Sequence, residues 1–144
     1  MADGLPENFP TLVVEGCPDA IIYADATGAI RYWNAAATRI FGYSTEEAMG
    51  QSLDLIIPER LRGRHWEGWN RVMGGSPSRY PDGALLAVPG ARKDGSPLSI
   101  EFTILPMTGA DGKLAGITAF LRDGTQRFDE MRALRRELAA LKSA

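Results

Sequence analysis

The chain has 144 residues, 44% hydrophobic and 24% charged, which is enough for one well-buried core of ordinary globular composition. Its 16 Lys and Arg stand against 18 Asp and Glu, and a net charge of -2 supplies no field that would gather nucleic acid or anionic lipid. The single cysteine, Cys17, excludes an intrachain disulfide and is in keeping with a reducing, cytoplasmic setting, while no apolar run approaches the roughly 18 residues of a membrane span.

Gly4, Pro6, Asn8 and Pro10 fall within the first ten residues and predict a leader without regular structure up to about Thr11. Ala20 to Ala24 is a short apolar segment, Asp25 to Gly28 carries turn chemistry, and Ile30 to Trp33 resumes in β-favouring residues, so a hairpin is expected. Asn34 has the chemistry to cap a helix over Ala35 to Phe41, which Gly42 stops. Ser44 and Glu47, three residues apart, form the pattern of a capping box for a second short helix closed by Gly50. After Pro58, the residues Leu61, His65, Trp69 and Met73 recur every fourth position and predict one helix over Glu59 to Met73, ended by Gly74 to Pro77.

Three extended runs follow, Ala84 to Val88, Leu98 to Leu105 and Ala115 to Arg122, joined as antiparallel hairpins by turns at Lys93-Asp94-Gly95 and Ala110-Asp111-Gly112. Ile100, Phe102 and Ile104 alternate with Ser99, Glu101 and Thr103, predicting one apolar and one wet face. The pattern is an α+β domain over residues 11–125. Residues 126–144 contain no Gly or Pro and place Met131, Leu134, Leu138 and Leu141 at 3-4-3 spacing, a helical seam that either pairs with a second copy or folds back on its own sheet.

With one histidine, no spacing of nucleophile and base, and no Cys/His cluster, nothing assembles a hydrolytic centre, so a binding module is expected rather than an enzyme. By residue type alone, His65 reads as a helix residue on an amphipathic face, Arg71 and Arg79 as surface charge, and Trp69, Leu86, Phe102 and Ile104 as core.

A resemblance adds to that reading. Pro18 to Ile22, Asp25, Gly28, Ile30, Asn34, Phe41 to Ser44, Glu47 and Gly50 resemble the first half of a PAS domain, and Lys93-Asp94-Gly95 with Arg122-Asp123-Gly124-Thr125 resemble its second half. The resemblance implies a five-stranded antiparallel sheet with short helices over one face, enclosing a pocket that holds a cofactor or stays closed. It also implies a C-terminal helix that forms a homodimer and passes a signal to an effector domain whose type the sequence leaves open. Gly124 stands where the family has an apolar residue, a departure expected to loosen the junction with the tail.

The run from Pro58 through Arg64-His65, followed by Arg71, resembles more narrowly the helix of haem-binding oxygen-sensor PAS domains of bacterial histidine kinases. That resemblance implies haem b with His65 on its iron, Arg71 paired with a propionate, Arg79 near a second polar contact, and Trp69 against the porphyrin. A diatomic gas is then the implied ligand. Those sensors carry an arginine on the following strand. Counting back from Lys93-Asp94-Gly95 gives Leu86 at that position, and counting forward from His65 gives Leu85, so Leu86, Phe102 and Ile104 are expected to form an apolar wall that favours carbon monoxide over oxygen. Non-covalent flavin, a small metabolite or an empty interaction domain stay open as alternatives. A cysteinyl-flavin adduct does not fit, because Cys17 precedes the first strand and the helical region has no cysteine.

Overall fold

Alternating side chains and tight glycine turns organise the chain as one antiparallel sheet with a helical cover. The computed structural model describes residues 4–76 and 84–143. Strands β1 (Ala20–Asp25), β2 (Ile30–Trp33), β3 (Leu86–Ala91), β4 (Pro97–Thr108) and β5 (Leu114–Asp123) lie in the order β2-β1-β5-β4-β3. Helices α1 (Phe9–Gly16), α2 (Ala35–Phe41), α3 (Thr45–Ala48), α4 (Arg62–Met73) and α5 (Thr125–Ser143) complete the fold, with 3-10 turns at Leu53–Ile56 and Glu59–Leu61.

Directly opposed residues of an antiparallel pair share a face of the sheet. One row therefore runs Leu86, Phe102, Leu121, Ala20, and the next runs Ile104, Ala119, Ile22, Trp33. Against these rows pack Ala37, Ile40 and Phe41 of α2, Ala48 of α3, Leu53 and Ile56 of the 3-10 turn, and Trp69 of α4. The core thus sits between one sheet face and the helices of residues 35–73.

The cover is fixed at its start by Asn34, which is 2% exposed. Its Oδ1 accepts from the backbone N–H of Ile21 (3.0 Å) and of Ala37 (3.1 Å), while its Nδ2 donates to the carbonyls of Val14 (3.0 Å) and Asp19 (3.1 Å). The expected cap of α2 is present, and so is the capping box of Ser44 and Glu47.

Several boundaries depart from the sequence expectation, each for a local reason. Helix α1 begins at Phe9, inside the expected leader, because Pro10 falls in its first turn, where a missing N–H costs nothing. The expected helix over Glu59 to Met73 is instead a 3-10 turn followed by α4. At that break Arg62 donates to the carbonyls of Ile57 (3.1 Å) and Asp54 (3.2 Å). Strand β3 starts at Leu86 rather than Ala84 and runs on through Pro89 and Gly90. An edge strand tolerates the proline, and a Cβ on Gly90 would strike Ile100 of β4. The outer face of β4 is polar only as far as Thr103: Ser99 at its start is buried, and the exposed Leu105 and Met107 follow on the same face.

The junction with the tail is tight rather than loose. Gly124 is buried, its N–H donates to the Ser99 carbonyl at 2.8 Å, and a Cβ there would lie 2.7 Å from the Glu101 carboxylate. Asp123 accepts from the Thr125 N–H (2.9 Å) and pairs with Arg92 (2.7 Å), which also donates to the Ile40 carbonyl (3.2 Å). Beyond this root α5 buries no residue, so it does not fold back on its own sheet.

Asn34→Ala removes a helix cap and strands the Ile21 N–H with two carbonyls, and should cost about 3 kcal/mol or more. Asn34→Asp keeps the acceptor but loses both donors, and should recover only part of that loss. Urea unfolding midpoints at unchanged slope check both; a parent-like Asn34→Asp would mean that the Nδ2 bonds contribute nothing.

Candidate functional site

Helix α4 turns one side toward the core and the other to water. Trp69 is 7% exposed and belongs to the core, Leu61, His65, Trp66, Val72 and Met73 are half-buried, and Arg64, Glu67 and Asn70 are exposed. The four-residue spacing of Leu61, His65, Trp69 and Met73 therefore marks the inward side, as the periodicity predicts.

His65 packs between two indoles. Its ring centroid lies 4.6 Å from that of Trp66, edge-on, and 6.2 Å from that of Trp69, and the two tryptophans meet edge to face at 5.5 Å. The Nδ1 of His65 is buried and has no hydrogen-bond partner among the described residues. Burial pushes the imidazole pKa below its ordinary 6.5, opposed by the nearby Asp54 carboxylate, so the neutral ring is favoured. A buried neutral imidazole with an unused nitrogen is a potential ligand for a metal or an acceptor for a bound donor.

Phe102 and Ile104 of β4 lie on the inner face and pack against the same core cluster as Trp69. Leu86 is opposite Phe102 in the register and shares its face, whereas Leu85 is 56% exposed. Of the two countings, the one that ends at Leu86 reaches the inner wall. Arg71 is half-buried in the last turn of α4 and forms no ion pair among the described residues. Arg79 falls outside the described residues.

Among the described residues, a concavity of about 590 Å³ lies between Arg92, Asp123 and the root of α5, and one of about 540 Å³ lies beside β3, the start of β4 and α5; neither is lined by His65, Trp69, Arg71, Leu86, Phe102 or Ile104. Trp69 instead belongs to the packed interior beside His65. Two residues that sequence patterning passed over belong to the site. Trp66, one step off the four-residue series, donates its indole N–H to Asp54 Oδ1 at 2.7 Å. Asp54 sits in the 3-10 turn Leu53–Ile56, where its only sequence signal is the Ser52 cap before it.

A five-stranded antiparallel sheet with a short-helix cover over its inner face defines a sensory PAS architecture. The family model for the PAS fold matches residues 8–124, and the chain belongs to that family. Among curated proteins it is 33% identical over 114 residues to Sensor protein FixL of Bradyrhizobium diazoefficiens, covering 79% of this chain and 22% of that protein. It is 30% identical over 124 residues to Oxygen sensor protein DosP of Escherichia coli, covering 86% of this chain and 15% of that protein. The chain thus spans about a fifth or less of the curated relatives it matches.

Solved structures of similar fold include the PAS domain of a protein from Colwellia psychrerythraea (TM-score 0.68, 22% identity, 81% of this chain and 94% of that one). An RNA-binding Light-Oxygen-Voltage receptor also aligns (TM-score 0.74, 21% identity, 99% of this chain and 41% of that one). Among the described residues no helix is long and apolar enough to cross a membrane.

The direction of the His65 shift sets a pH dependence. Because the folded pKa lies below the unfolded value, the unfolded chain binds the extra proton first, and stability is lost as pH falls from 6.5 toward the folded pKa. Between about pH 7 and 5 carboxylates contribute little, since their unfolded values lie near 4. Acidification across that window should destabilise the parent more than His65→Gln; equal slopes in a denaturant series would mean that the ring protonates freely in the folded state.

Proposed function

We propose that this chain is a non-catalytic sensory module that holds haem b through His65, responds to a diatomic gas or to redox state, and signals through a dimer of α5. The observation that carries the reading is the buried Nδ1 of a neutral imidazole on the inner side of α4, without a partner among the described residues, in a chain with no second histidine. The residues fit such a group. A neutral imidazole offers iron a lone pair, Arg71 at the helix end has the charge to meet a propionate, and Arg79 is proposed as a second polar contact. Leu86, Phe102 and Ile104 exclude water and offer a gas no side-chain donor, which favours carbon monoxide over oxygen. Haem, when bound, would supply the gas-binding iron.

The oxygen-sensor name of one relative supports the same reading. A second reading is favoured by Trp69. An interior already filled by an indole suits a closed PAS domain that acts by protein contact alone, with flavin or a small metabolite as intermediate cases. A cytoplasmic setting and an unidentified effector domain belong to either reading.

Titrating haemin into the purified protein separates them. The parent should bind with a visible spectrum that His65→Ala loses or shifts. No binding by the parent would support the closed reading, and identical spectra and affinities would remove His65 as the axial ligand.

The dimer reading rests on α5, whose Met131, Leu134, Leu138 and Leu141 are all exposed, 74% for Leu141. Burying each such side chain against a second copy is worth about 1.5–3 kcal/mol, so a chain cut after Thr125 should dissociate at higher concentration than the full chain. Sedimentation over a dilution series tests this, and equal molar masses throughout would assign any dimer to another surface.

A further inference from the structure

We propose that Trp66 is the positioning residue for His65, and that its hydrogen bond to Asp54 with its packing on Gly28 clamps the imidazole in place whether or not a cofactor is bound. Four neighbours converge on this indole. Its N–H reaches Asp54 Oδ1 at 2.7 Å, a short bond to a charged acceptor. Its six-membered ring lies so close to Gly28 that any Cβ there would collide with it, and Gly28 holds φ +82, which independently favours glycine. It also meets two aromatic rings, His65 at 4.6 Å and Trp69 at 5.5 Å.

The geometry gives the clamp a direction. Gly28 belongs to the turn between β1 and β2, where its N–H donates to the Asp25 carbonyl at 2.8 Å, while the Leu53 N–H donates to the Gly28 carbonyl at 3.1 Å. Asp54 follows Leu53 directly, so one hydrogen-bonded unit supplies both the acceptor and the flat surface that the indole needs. Arg62 donates to the Asp54 carbonyl from the start of α4 and ties the helix to the same unit. Helix α4 is thereby fixed on both sides of His65 to parts of the chain that do not belong to it, and the imidazole has little rotational freedom.

The nitrogen left without a partner on His65 makes this arrangement informative. A ligating histidine is ordinarily oriented by hydrogen bonding, and no described residue holds this ring through Nδ1, the nitrogen left free for a ligand. Orientation then comes from packing, and Trp66 is the nearer of the two indoles that meet the ring.

The test uses the full chain and its one imidazole, which gives a single set of ring signals in NMR. At about pH 8, where the ring is neutral, the parent should show one sharp set. Trp66→Phe, which removes the donor and trims the ring, and Asp54→Ala, which removes the acceptor and leaves the indole, should both broaden or split it, while Asp54→Asn, which keeps an acceptor without the charge, should return the parent's signals. In the haem arm, which rests on the proposed function, Trp66→Phe and Asp54→Ala should weaken haemin binding about 10- to 100-fold, with Asp54→Asn near the parent.

Unchanged ring signals in Trp66→Phe and Asp54→Ala overturn the proposal. So does an Asp54→Asn variant that behaves like Asp54→Ala, because charge rather than the hydrogen bond would then act on His65. If the parent binds no haemin, the haem reading fails and the imidazole signals alone decide the clamp.

Discussion

The saturation of Asn34 is the constraint on which the rest of the structure depends. A buried primary amide has two donor hydrogens and an acceptor oxygen, and leaving them without partners costs about as much as the net gain of several ordinary hydrogen bonds. Here each is used, and the partners come from α1, the segment before β1, β1 itself and the first turn of α2. The start of α2 is therefore fixed relative to the sheet, which places Ile40 and Phe41 in the core and sets where Gly42 ends the helix. From that helix end the backbone reaches the turn after β3. The Lys93 N–H donates to the Phe41 carbonyl at 2.9 Å, and Arg92 links Ile40 to Asp123 at the root of α5. A continuous set of hydrogen bonds thus joins the first hairpin to α5.

Most of this chain's surface ion pairs contribute little, because both partners are largely solvated. Arg92 and Asp123 differ through their connections. The arginine also donates to the Pro97 carbonyl at 2.7 Å, and the aspartate holds the first N–H of α5. Three forces lower the Asp123 pKa against the pull of burial: the Thr125 hydroxyl, its N–H, and Arg92. With Gly124 packed on Glu101, the direction in which α5 leaves the sheet is set by the core, so a shift of α2 or of the turn after β3 would re-aim the tail.

Signals carried by neighbouring residues were legible in the sequence. The caps at Asn34 and Ser44, the alternation through Phe102 and Ile104, and the inward series of His65 and Trp69 each follow from spacings of two to four residues, which backbone geometry fixes. Contacts between distant segments were not legible. Gly28 reads as a turn glycine, and only the fold shows that Trp66 lies against it. Gly124 reads as a flexible joint until the Glu101 carboxylate is found in the space a side chain would need. Trp66 escaped notice because it stands one residue away from the inward series, and its partner Asp54 lies twelve positions earlier in a 3-10 turn. Alternation along β4 likewise tells which residues share a face but not what covers it, so it does not show that Ser99 is buried while Leu105 and Met107 are exposed.

The packed state of Trp69 bears on which ligands this interior can accept. Removing a buried tryptophan from a core costs about 3–5 kcal/mol, and a ligand that displaces the indole must supply that much before it gains any net affinity. A small polar metabolite buries too little apolar surface to do so. A large flat ring system replaces the lost contacts with its own, at about 25 cal/mol per Å² buried, and adds a bond to His65 where it carries a metal. Moving Trp69 also loads α4, because Trp66 ties the same helix to Asp54 and to the first hairpin. A ligand able to enter beside His65 would therefore be one large enough to strain that attachment, which is the physical requirement for a binding event to be felt outside the pocket.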